Sequence, residues 1–131
     1  MHSPPPPDVV LLSVDRLTRA PLRAQLIEDG FEVIATDAWP AMRQHLRPGT
    51  RPVLVIIDLH DLPEPLQILN DVGVLMRPER IIVLMALGSV AIDAFERRGY
   101  VIVHRPASIG SIVETARAVR ARASASRRER Q

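Results

Sequence analysis

Cysteine is absent from the 131-residue chain. Disulfides, thiolate metal ligands and a cysteine nucleophile are thereby excluded, and a reducing compartment suits the composition. Lysine is absent too, so all 17 cations are arginine, and the pI of about 10.3 largely reports the high pKa of the guanidinium. Aromatic residues make up only 3% of the chain. No run of apolar residues is long enough to span a bilayer, and the opening MHSPPPPD places prolines where the apolar core of a targeting peptide would lie. A soluble, cytoplasmic protein is the expectation. Also missing are a P-loop, a glycine-rich dinucleotide fingerprint and a Ser-His-Asp order, so nothing points to catalysis on an external substrate, and the chain is not expected to be an enzyme.

What is present is a sizeable apolar fraction, 47%, enough for one folded domain of this length. The positive charge is local. Residues 117–131 hold six arginines and one glutamate, which leaves 11 arginines against 14 acids in residues 1–116, a mildly acidic body. Three segments follow: a proline-rich lead over 1–8, read as disordered, a folded domain over 9–119, and a basic tail over 120–131. The stretch RAVRARASASRRER interleaves no aromatic residue among its arginines, which argues against specific nucleic-acid recognition and leaves an acidic partner, an anionic membrane surface or a solvated helix end.

The pattern of the domain alternates strands and helices. Apolar runs at Val9–Val14, Phe31–Thr36, Pro52–Ile57, Ile81–Leu87 and Tyr100–Val103 read as strands. Between them helices are predicted over 18–29, 37–46, 64–76 and 89–98, and a last helix runs from Ile109 into the tail. Their inward stripes are Leu22, Leu26 and Ile27; Leu66, Leu69 and Val72; and Ile112, Val113, Ala116 and Val119. Pro21 is compatible with the first helix if that helix starts close to Thr18. Strict alternation with short loops means right-handed crossovers and a parallel sheet covered on both faces. The expected fold is a flavodoxin-like, doubly wound, five-stranded α/β sheet of order 2-1-3-4-5. Strands 1 and 3 then lie together, and their carboxyl ends bring Asp15 and Asp58 into one crevice, where ligands collect in such sheets.

With VDRL after strand 1, EDGFEVIATDA, the strand LVIIDLHDLP and VIVHRP at strand 5, the sequence resembles a response-regulator receiver domain from Val9 to about Val119. The resemblance implies that Asp58 is a phospho-acceptor and that Mg²⁺ binds with the help of an acidic pair after strand 1. Here that pair is reduced to Asp15, and an ungapped count back from Gly30 puts Ser13-Val14 in its place, so only weak Mg²⁺ binding through Asp15 and Asp58 is implied. The family's hydroxyl at the end of strand 4 is matched by Met85, which cannot donate a hydrogen bond to a phosphoryl group. The strand-5 aromatic is matched by Ile102, and the lysine by Arg105 before Pro106, whose peptide bond is cis in the family. The implied reading is an atypical receiver that signals by protein–protein interaction in bacterial regulation, without ordinary phosphorylation switching. The alternative is a phosphoryl-accepting response regulator served by a histidine kinase. By the same resemblance, the surface of helix 4, strand 5 and helix 5, marked by Ala91, Phe95, Tyr100, Ile112 and Arg117, is the place for a protein partner or a homodimer.

Other constellations are weaker. Asp58-Leu59-His60 is similar to the D-x-H of cobalamin-binding domains, but Pro63 stands where that motif needs glycine. His60 with Asp61 gives two ligands where a structural metal site takes four. His104 is expected near the crevice as an ordinary surface histidine.

Overall fold

The computed structural model describes residues 5–87 and 92–129. Five strands, β1 (Val9–Leu12), β2 (Val33–Thr36), β3 (Leu54–Asp58), β4 (Ile81–Ala86) and β5 (Val101–Arg105), form one parallel sheet of order β2-β1-β3-β4-β5. The helices between them are α1 (Arg16–Glu28), α2 (Trp39–Arg43), α3 (Pro65–Leu75), α4 (Ile92–Arg97) and α5 (Ile109–Glu129). This is the doubly wound order expected from the alternation of apolar strands and amphipathic helices. Among the described residues no helix is long and apolar enough to cross a membrane.

The pleat sorts each strand's side chains onto two faces. Val10, Leu12, Val55, Ile57, Ile81 and Val83 face α2, α3 and α4 and pack with Met42, Leu69, Val72 and Phe95. Val9, Leu11, Leu54, Ile56, Ile82 and Leu84 face α1 and α5 and pack with Leu22, Leu26, Ile112, Val113, Ala116 and Val119. With both faces covered, β1 and β3 are fully buried, which is why their sequences are unbroken apolar runs rather than alternating ones.

Several local expectations change. β1 stops at Leu12 rather than Val14, because the chain turns at Ser13-Val14 so that Asp15 can cap α1. α1 starts at Arg16, two residues before Thr18, so Pro21 lies inside the helix. Ile27 is 43% and Leu66 41% exposed, whereas Ile68 joins Leu69 and Val72 in the inward stripe of α3. Asp8 belongs to the sheet rather than to a loose lead: its amide bonds the Glu32 carbonyl, its carboxylate accepts the Glu32 amide, and its carbonyl accepts the Leu54 amide. The helix expected from Ser89 is described only from Ile92; Ser89 and Ala91 lie outside the described residues. α5 runs on through the basic segment to Glu129.

Glycine ends α1 for a specific reason. Gly30 has φ +93°, and with it in the left-handed region the Gly30 and Phe31 amides reach back to the Ile27 and Leu26 carbonyls.

Candidate functional site

Asp58 ends β3, and the pleat places its side chain on the α1/α5 face of the sheet. Its neighbours are decided by topology. β1 lies on one side of β3, and Ser13, the residue after β1, donates its hydroxyl to Asp58 Oδ2 at 2.8 Å. β4 and then β5 lie on the other side, and Arg105, the last residue of β5, brings Nη2 to the same oxygen at 2.7 Å. The remaining oxygen, Oδ1, accepts the backbone N–H of His60 at 3.1 Å. Asp58 and Ser13 are both 0% exposed, and the Arg105 side chain is 30% exposed. A carboxylate taken wholly out of water is tolerable only with such pairing.

Asp15 shares the crevice and caps α1. Its Oδ1 accepts the Leu17 amide, capping α1, and its Oδ2 accepts the Thr18 hydroxyl, each at 3.0 Å. These two bonds, the backbone one foremost, hold its carboxyl below the ordinary range, and the charges of His60 and Arg105 act in the same direction against a desolvation effect. Arg105 Nη2 also reaches Thr18 Oγ1 at 3.4 Å, so the groups connect as Asp58, Arg105, Thr18, Asp15. Arg19 closes the turn by donating to the Ser13 carbonyl at 2.7 Å.

These groups do not fit a magnesium ion. Mg²⁺ takes a near-octahedral set of oxygens, with carboxylates among them. Ser13 contributes no carboxylate, the Asp15 oxygens face N–H and O–H donors, and the guanidinium of Arg105 already holds positive charge against Asp58 Oδ2. Among the described residues no group of three His, Cys, Asp or Glu side chains converges as a metal site. His60 Nε2 stands 3.4 Å from Asp61 Oδ2 with both side chains more than half exposed, a solvated pair.

The other positions singled out in the sequence fall as follows. Met85 is 3% exposed and lines, with Leu59, Ala86 and Arg105, a depression of about 530 Å³ beside the crevice. Ile102 packs against the α2/α3/α4 side of the core. The Arg105-Pro106 peptide bond is cis. His104 is exposed on the edge strand β5. Phe95, Tyr100 and Ile112 are about 4% exposed and cannot form a contact surface: Phe95 and Tyr100 pack edge to face, and the Tyr100 hydroxyl donates to the Leu69 carbonyl at 2.7 Å. Arg117 is exposed and paired with Asp29. Thr18 is the site residue that sequence reasoning did not place, and Ser13 was placed only as a position and not as a partner of Asp58. The ungapped count from Gly30 was the available signal for Ser13.

No protein-family model and no curated protein matches the chain. Solved structures do. A CheY-like response regulator receiver domain protein from Methanospirillum hungatei superposes with a TM-score of 0.77 at 15% identity, covering 90% of this chain and 96% of that one. An adenylate cyclase structure from Rhodopirellula baltica gives 0.77 at 14%, covering 93% of both chains. A receiver protein from Sinorhizobium medicae gives 0.72 at 14%, covering 88% of this chain and 94% of that one. The chain has the fold of CheY-like response regulator receiver domains, end to end over the described sheet and its helices.

Proposed function

We propose that the protein is an atypical receiver-type signalling domain that acts by binding another protein and does not switch by ordinary phosphorylation. One observation carries this reading: the acceptor-position carboxylate of Asp58 is buried and, among the described residues, Ser13 and Arg105 meet one of its oxygens and the His60 amide the other. A phosphodonor would need one of those oxygens free and a divalent cation beside it. Met85 and Ala86 at the end of β4 add no hydroxyl that could draw toward a phosphoryl group. The partner surface belongs to α4, β5 and α5, where exposed Asp93, Glu96, Arg97, His104 and Arg117 replace the buried aromatic residues.

A second reading has its own support. Asp58 at the end of β3 with Arg105 at 2.7 Å before a cis proline is an arrangement in which a cation could pair with a phosphoryl group. Phosphoryl transfer from a small phosphodonor separates the two. Intact mass of the full chain and of Asp58→Ala, after incubation with phosphodonor and Mg²⁺, is expected to show no adduct in either. An adduct on the full chain that is absent from Asp58→Ala would replace the first reading by the second.

A further inference from the structure

A second depression opens on the same edge of the sheet, between the segments that follow β1, β2 and β3. It encloses about 410 Å³. Its apolar lining includes the buried Leu62 and Ile68, with Val14 and Trp39. Asp37, Asp61, Glu64 and Asp71 stand around it, and no arginine or histidine lines it. Asp61 has His60 for a neighbour and Asp71 accepts the Gln67 amide, but among the described residues Asp37 and Glu64 have no ion-pair partner, and Asp37, Asp61 and Glu64 are exposed. An aromatic residue and carboxylates around an apolar lining are complementary to a guanidinium on its alkyl stem.

The same chain carries that chemistry at the far end of α5. Arg117 is paired with Asp29, and Arg120 lies 3.8 Å over the Phe31 ring. Arg122, Arg127 and Arg128, farther along, are exposed and have no ion-pair partner among the described residues. After Val119 no described residue of α5 is buried, and beyond Arg120 about two and a half turns carry their arginines exposed.

These two features cannot meet within one molecule. The depression is formed by residues that follow strands, at the carboxyl edge of the sheet. Arg122, Ala123 and Ser126 lie beside Arg77, Glu79 and Arg80, which precede β4 at the amino edge. A continuous helix fixes the arginines there.

We propose that the acidic, Trp39-lined depression receives the arginine-bearing end of α5 from a second copy of this chain, in a head-to-tail contact. It involves neither Asp58 nor α4 and β5, and it uses α5 only beyond Val119, past Arg117, so it stands apart from the reading of the acceptor site. Because the two halves of the contact are different surfaces, each copy keeps a free depression and a free helix end after pairing. Such a contact propagates into chains or a ring and does not stop at a two-fold dimer. Being between exposed charges, it is screened by salt.

Sedimentation velocity of the full chain tests this, with Trp39, the only tryptophan, as an optical probe in the depression. In low salt the average mass should rise with concentration past that of a dimer, and it should return to the monomer at about 0.5 M NaCl, where the screening length is only a few ångströms. Two variants isolate the halves: Asp37→Asn/Asp61→Asn/Glu64→Gln neutralises the depression, and Arg122→Gln/Arg127→Gln/Arg128→Gln neutralises the helix end. All six positions are exposed, and unchanged far-UV circular dichroism checks that both variants fold. Each alone should be monomeric. An equal mixture should form a dimer and nothing larger, with a shift in Trp39 emission that neither variant shows alone. A full chain that stays monomeric with constant Trp39 emission would overturn the proposal. So would variants that still self-associate, or a mixture that remains monomeric.

Discussion

At the residue scale the balance at Asp58 is between desolvation and pairing. Its carboxylate is fully buried, and Arg105 and Ser13 meet the same oxygen. Removing one member of a buried ion pair leaves an uncompensated charge, whereas replacing both with apolar or neutral groups is far milder. Because the Arg105 side chain is 30% exposed, water can reach part of the gap, and Arg105→Ala is expected to cost about 3 kcal/mol, the low end of such losses. Asp58→Asn/Arg105→Met should recover most of it in urea unfolding, and a double variant no more stable than Arg105→Ala would show that the pair is not the source of the loss. Asp15 makes a pH prediction of a different kind. Its carboxyl is held down in the folded state by the Leu17 amide first and the Thr18 hydroxyl next. A depressed folded pKa contributes stability that is complete above the unfolded value, about 3.9, and disappears as pH falls through the folded one. Asp15→Asn keeps an acceptor for the Leu17 amide but loses the charge and the acceptor for Thr18, so it should lower the melting temperature somewhat at neutral pH and flatten its fall below about pH 4. Asp58 was legible as the acid ending the most apolar strand. Ser13 was legible as a position and not as a partner: inside VVLLSV a serine reads as a tolerated polar residue, and its bond to Asp58 comes from the placement of β1 beside β3.

At the scale of elements, two substitutions test why helices sit as they do. Pro21 is inside α1, exposed, and denies the Leu17 carbonyl its partner. Pro21→Ala should stabilise the fold by about 1–2 kcal/mol, since the helix gains more than the unfolded chain does from its new freedom. A loss of stability would mean that the proline ring makes a contact worth more than the missing bond. Gly73 in α3 looks like a weak point in sequence, but a Cβ there would overlap the hydroxyl of Tyr100, which is held by the Leu69 carbonyl. Gly73→Ala should cost about 1–3 kcal/mol despite alanine's better helix propensity, and Gly73→Ala/Tyr100→Phe should be more stable than Gly73→Ala alone in the same unfolding measurement. The inward stripe of α5 could be read from its spacing because Ile112, Val113, Ala116 and Val119 repeat at helical intervals over a long element. The phase of α1 and α3 was less legible. Ile27 is one residue, or about 100°, from Leu26 and falls at the margin of its stripe, and Leu66 lies in the first turn of α3, past the end of β3, where there is no sheet to cover.

On the scale of the whole molecule, topology was the most legible property. Five apolar runs alternating with helices and joined by right-handed crossovers leave few arrangements, and β2-β1-β3-β4-β5 is the one adopted. Burial was less legible: Phe95, Tyr100 and Ile112, by which the resemblance marked an interface, are consumed by the core. In a receiver-type fold, switching means that a change at Asp58 reaches α4, β5 and α5, and such a transition needs elements with two arrangements. Met85 is a packed core residue and Ile102 joins the same cluster, on the face of the sheet opposite the one the pleat gives to Asp58. The direct test is the amide ¹H–¹⁵N spectrum of the full chain before and after addition of Mg²⁺ with beryllofluoride, a phosphoryl mimic. A locked Asp58–Arg105 pair predicts that the resonances of Leu59, Met85 and Ile102 stay where they are; shifts at those residues that spread through α4, β5 and α5 would contradict it and establish a working switch.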